Sequence, residues 1–158
     1  MKQSKEMNRQ KKIQLGIKFI IVFYILNIIF WIVGQGGSVI AYHTVAQWGL
    51  VEARETVDPF CIVINKAIGL ADVIIAPPIF IATIGLWKMR FYGLMTSFMC
   101  FGIGFYWTAV AWVKQIFLIQ AGVKCEPLDV GTHVMLGFVF LFSIWGSWYL
   151  YKNRKLFD

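Results

Sequence analysis

Residues 60–87 read FCIVINKAIGLADVIIAPPIFIATIGLW, with Lys66 and Asp72 the only charged side chains in the stretch. Roughly 20 helical residues cross the roughly 30 Å of bilayer hydrocarbon, so this run is long enough to span a membrane. Its apolar residues are continuous rather than alternating. A barrel strand is thereby excluded, and a helix follows, because a helix satisfies its own backbone in lipid. Outward from this run lie three more of the same kind: Ile13 to Gly34, Phe91 to Val113, and Val130 to Tyr151. The sequence therefore predicts an all-α polytopic membrane protein. It would form one four-transmembrane-helix bundle over residues 1–158, with an outer loop at residues 35–59.

Composition agrees. The 158 residues are 59% hydrophobic and 15% charged, where an ordinary soluble domain has about 45–50% and about 25%. A soluble globular enzyme and a disordered chain are both excluded. The net charge of +7 comes from 15 basic and 8 acidic residues. In a soluble chain that balance would suggest nucleic acid; in a chain this apolar, Lys and Arg set membrane orientation. One side collects Lys2, Lys5, Arg9, Lys11, Lys12, Lys18, Lys88, Arg90, Lys152, Arg154 and Lys155, and the other has Arg54, Lys66, Lys114 and Lys124. This bias predicts a multi-pass protein of the cell (plasma) membrane, with both termini and the turn at Met89 in the cytoplasm. The first run is too long for a signal-peptide core and lacks a small-x-small cleavage site after it, so a retained signal anchor is expected. Trp31, Trp48, Trp87, Trp112, Trp148, Tyr149 and Tyr151 fall near the expected interfaces as an aromatic belt. The expected partners are membrane lipids, including anionic lipid at the basic cytoplasmic rim, and a second copy or another membrane protein. No nucleic acid and no cofactor is expected.

In the outer connection, Gly36-Gly37-Ser38 reads as a break followed by a helix cap, and Val39, Tyr42, Val45, Ala46 and Trp48 recur at helical spacing. Two outcomes fit: a short amphipathic helix on the outer surface, or an extension of the first span. The acidic residues Glu52, Glu55 and Asp58 then lead to Pro59, which suits the first turn of the second helix.

Asp72 carries the most chemical information. A carboxylate near mid-span is costly unless protonated, paired or wetted, so it should face the bundle interior. One turn on, Pro77-Pro78 lacks the backbone donors for the carbonyls of Val73 and Ile74, and a kink is expected there. Counting depth along the helices makes Asn27, Tyr106 or Thr108, and Ser143 its candidate neighbours. Asn65 shares its face one heptad away, while Lys66 does not and should snorkel outward or meet Glu126 or Asp129. The alternative is structural, with Asp72 tying helices together.

Other chemistry is thin. His43, His133, Cys125, Glu126 and Asp129 gather near the outer face, but their spacing matches no compact metal pattern. Cys61 and Cys125 both reach the expected oxidising side, where a disulfide can form; spacing alone does not say whether they meet. Cys100 lies within the third span as a packing residue. Small residues at Thr96, Cys100, Gly104 and Thr108, and at Ser143, Gly146 and Ser147, mark faces where helices approach closely.

The segment Trp48-Gly49-Leu50-Val51-Glu52, followed by Asp58-Pro59, Asn65, Ala71-Asp72, Pro77-Pro78, Gly85-Leu86 and Tyr106-Trp107, resembles small bacterial four-span membrane proteins of uncharacterised function. The layout is also similar to DoxX-like proteins and, in architecture only, to the small multidrug transporters; those carry an acidic residue in the first span, where this chain has Asn27. The Cys-x-x-Cys pair of vitamin K epoxide reductase-like enzymes is absent. Three functions stay open. The first is an accessory or interaction subunit with Asp72 as internal glue. The second is a small proton-coupled transporter using Asp72, with Asn65, Asn27 and Tyr106 along the route. The third is a membrane enzyme acting on a lipid or quinone at the outer face through His43, His133 and the acidic loop.

Overall fold

A computed structural model describes residues 2–123, 125 and 130–157, with side chains from residue 14 onward. Helix α1 (Lys2–Ile29) runs into a π-helical segment (Phe30–Gly36) and one further α turn, α2 (Gly37–Ile40). After the short α3 (Tyr42–Gln47) come α4 (Pro59–Trp87), α5 (Phe91–Gln120), α6 (Val130–Lys152) and a 3-10 turn (Arg154–Leu156). Four helical stretches are long and apolar enough to cross a membrane: Gln14–Ile40, Pro59–Trp87, Phe91–Gln120 and Val130–Lys152. The chain is an all-α four-helix bundle with the layout of a multi-pass membrane protein.

Local chemistry sets the helix ends. Asp58 caps α4 by accepting from the Phe60 amide at 2.8 Å, with Pro59 in the first turn, where its missing N–H costs nothing. At the other end, Arg90 N donates to Gly85 O and Met89 N to Leu86 O, a Schellman cap in which Met89 takes a φ of 53°. The same pair of bonds ends α3 at Gly49 and α5 at Gly122, each with a φ of 71°.

Two ends of the bundle differ in packing. At the end carrying the α4–α5 turn, Ile20 and Tyr24 of α1, Ala82 and Leu86 of α4, Phe101 of α5 and Leu150 of α6 form one buried core, and Phe157 folds back into it. Phe23 stacks on Phe142 with ring centroids 4.1 Å apart, and the Tyr24 hydroxyl donates to the Ser97 carbonyl at 3.2 Å. Lipid tails are as apolar as these side chains. Close packing and polar links, rather than removal from water, therefore hold such helices together. Glycines permit the approach: a Cβ on Gly85 or Gly93 would strike the other's backbone, one on Gly146 would strike Phe101, and one on Gly16 would strike Tyr149.

At the opposite end Cys61 of α4 is bonded to Cys125, with Cα atoms 5.1 Å apart, and Leu118, Val57 and Val123 pack around the bridge. This is the disulfide end of the bundle.

Two expectations are corrected. Gly36-Gly37-Ser38 is no break: the first span continues to Ile40 rather than stopping at Gly34, and Ser38 is buried inside the helix, donating to Gln35 O at 2.6 Å. The glycines there serve contact instead. Cβ atoms built on Gly36 and on Gly69 of α4 would meet Val73, and Gln35 and Ser38, respectively. The third span runs on to Gln120 rather than Val113, because Lys114 and Gln115 are held within α5 and Gln115 is buried. Helix α4 continues through Pro77-Pro78. What the prolines leave is chemical, two carbonyls without helical donors. The first span has an irregularity of its own, the π-helical segment, which packs on α4.

Candidate functional site

The contact between Gly85 and Gly93 sets the register of the α4–α5 hairpin. Asp72 and Tyr106 lie the same number of residues from it, so antiparallel pairing brings them level. Against α6, Gly104 meets Ser143 and Gly146 meets Phe101, which fixes the third partner. With the π-helical segment and α2 held on Gly69 and Val73, the four spans border a cavity of about 370 Å³ in the half nearer the disulfide.

Polar residues reach this cavity from several elements: Gln35 of the π-helical segment, Glu52 of the loop after α3, Asn65 and Asp72 of α4, Tyr106 and Lys114 of α5, and Thr132 of α6. The remaining lining is apolar and aromatic, including Ile68, Ile75, Trp107, Val110 and Leu136. Leu50, Val51 and Glu52 border it from the loop.

Asp72 is the unusual member. Its residue is only 2% exposed, and its Oδ2 atom has no hydrogen-bond partner among the described residues. An acceptor removed from water without a donor costs about 1–3 kcal/mol, more when charged, so its retention beside a cavity marks a place where something else donates. A second orphan lies nearer the disulfide end. Tyr42 on α3 is 3% exposed with an unpartnered hydroxyl, and the Arg54 guanidinium sits 5.6 Å from its ring centroid. Burial pushes this hydroxyl above the usual tyrosine range; the nearby Glu52 carboxylate adds to the rise and Arg54 opposes it.

The sequence-predicted residues divide. Asn65 and Tyr106 line the cavity with Asp72, although Tyr106 is 69% exposed and so stands at its edge. Asn27 and Ser143 do not join that lining. Asn27 donates to Phe23 O at 2.7 Å and Ser143 to Val139 O at 2.8 Å, each satisfied on its own helix. Thr108 likewise bonds Gly104 and Phe105 of α5. Depth counting misplaced Asn27 because the first span extends past Gly34, and it is Gly36 that lies beside Val73. Lys66 is half-buried outside the lining, and His43 and His133 are exposed. Glu126 and Asp129 lie outside the described residues. Among those described, no three His, Cys, Asp or Glu side chains converge as metal ligands.

Sequence reasoning missed Gln35, Glu52, Trp107, Lys114 and Thr132 as cavity residues. Gln35 and Lys114 carried a signal, being polar side chains inside stretches that remain helical. Glu52 carried none, since its position depends on how the loop folds over the bundle. Compared with protein-family models, curated proteins and solved structures, the chain matches none of them.

Proposed function

We propose that this protein is a small carrier of the plasma membrane, with both termini cytoplasmic, in which the cavity receives a small solute from the outer side. The Asp72 carboxyl is the group that exchanges a proton for that solute. One observation carries the proposal: Asp72, whose buried Oδ2 has no hydrogen-bond partner among the described residues, belongs to the lining of a cavity. A purely structural Asp would be expected to spend both oxygens on helix-to-helix hydrogen bonds. Two independent features support the orientation. Eleven of the 15 basic residues fall on the side of the termini and the Met89 turn. The Cys61–Cys125 bridge lies at the other end, as disulfides persist in oxidising compartments.

Protonation of Asp72 would act within a charged setting that includes Glu52 from the loop and Lys114 and Tyr106 from α5; the described α6 lining residues are uncharged. The test is accessibility from outside. In a Cys100→Ala background, Ala71→Cys at the cavity and Ala82→Cys in the core are treated with a membrane-impermeant charged thiol reagent on intact cells. Labelling of Ala71→Cys, with Ala82→Cys protected, is expected. Labelling of neither, or of Ala71→Cys only after permeabilisation, overturns the outward cavity and restores the interaction-subunit alternative.

A further inference from the structure

The lining also discriminates among ligands, and we infer that the cavity binds an organic cation: an ammonium group carried on an apolar body. The inference rests on the carrier proposal above and concerns the chemistry of the same site.

Charge comes first. Among the described lining residues Asp72 and Glu52 are acidic and Lys114 is basic, so ionised they leave one negative charge in excess. Next is the orphan oxygen itself. An ionised carboxylate only accepts hydrogen bonds or attracts cations, and Oδ2, itself buried, finds no donor among the described residues. A ligand that pairs with the Asp72 carboxylate is therefore a donor or a cation, not an anion.

A bare metal ion is served poorly: Asp72 and Glu52 are the carboxylates among the described lining residues. Hard cations take several oxygen ligands, commonly six or more (~6–8 for calcium). Among the described residues no three His, Cys, Asp or Glu side chains converge, and the lining that holds Asp72 also carries Ile68, Ile75, Trp107 and Tyr106. The cavity, at about 370 Å³, falls within the range of small-molecule sites. Trp and Tyr rings attract ammonium groups through their π faces, and aliphatic side chains accept an apolar body. A neutral apolar molecule would fill the space but leave Asp72 without a partner. Only a cation with an apolar body answers both halves of the lining.

Binding then exchanges one cation for one proton. The protonated Asp72 carboxyl releases its proton to solvent, and the carboxylate pairs with the ammonium, leaving the charge of the site unchanged. Low pH opposes binding.

The experiment uses the full chain in phosphatidylcholine nanodiscs, titrated calorimetrically with benzyltrimethylammonium, its neutral isostere neopentylbenzene and the anion benzenesulfonate, with empty nanodiscs subtracted. Expected are saturable binding of the cation, at least tenfold preference over the other two, and proton release seen as buffer-dependent heat. Asp72→Asn should weaken cation binding at least tenfold and abolish the proton release. Trp107→Leu should weaken it severalfold without affecting proton release, and it remains informative if Asp72→Asn fails to fold. Equal affinity for the neutral isostere or the sulfonate overturns the ligand class, as does cation binding indifferent to both substitutions. Either result alongside external labelling of Ala71→Cys would sink this inference while leaving the outward cavity standing.

Discussion

Gly85 of α4 and Gly93 of α5 touch backbone to backbone, and that contact sets the register bringing Tyr106 level with Asp72. A methyl group on either glycine has no flexible neighbour to displace. Gly85→Ala or Gly93→Ala should therefore destabilise the bundle by about 1–3 kcal/mol, as overpacking does. Gly102→Ala is the control. Nothing lies within 4 Å of a Cβ at Gly102, and alanine suits a helix interior better than glycine by roughly 0.5–1 kcal/mol. Thermal unfolding in detergent checks the pair; equal effects at Gly85 and Gly102 would refute the contact.

The spans were legible because lipid imposes one rule, an unbroken apolar run long enough to cross, and residues 60–87 obey it without ambiguity. The Asn65–Asp72 stripe was legible for a similar reason, since helical periodicity places both on one face. Other features depend on neighbours. Gly36 and Gly37 break helices in water, yet they continue one here, with Gly36 against Val73 and Gly37 against Val45. The level of Asn27 was misjudged as a direct consequence. Glu52 joins the site through the fold of a loop, which no periodicity encodes.

Tyr42→Phe tests the second orphan. Removing a buried hydroxyl that has no partner should raise stability by up to about 1–3 kcal/mol or leave it unchanged. The ring and its contact with Arg54 are kept. Melting temperature and cation binding should be measured together. A loss of stability would show that the hydroxyl has a partner after all.

Reduction of Cys61–Cys125 should loosen the disulfide end. The bridge joins residues separated by 64 positions, and a native disulfide of this kind contributes about 2–4 kcal/mol. Cys61→Ser paired with Cys125→Ser should lower the melting temperature and increase protease cleavage in the loop at residues 48–58. The core at the other end, around Phe101 and Leu86, should stay protected against hydrogen exchange. Uniform loss of protection across both ends would show that the two halves unfold as one unit.

Asp72→Leu separates stability from function most sharply. Leucine removes an unpartnered buried acceptor, and replacing such groups by apolar residues of similar volume is often neutral or stabilising. The variant should gain up to about 1–3 kcal/mol. That gain should be larger at alkaline than at acidic pH, because protonation already removes the charge from the native carboxyl as pH falls. Cation binding and proton release should vanish in the same variant. If Asp72 were structural glue, Asp72→Leu would instead lower the melting temperature at every pH, and the two outcomes have opposite signs in one unfolding experiment.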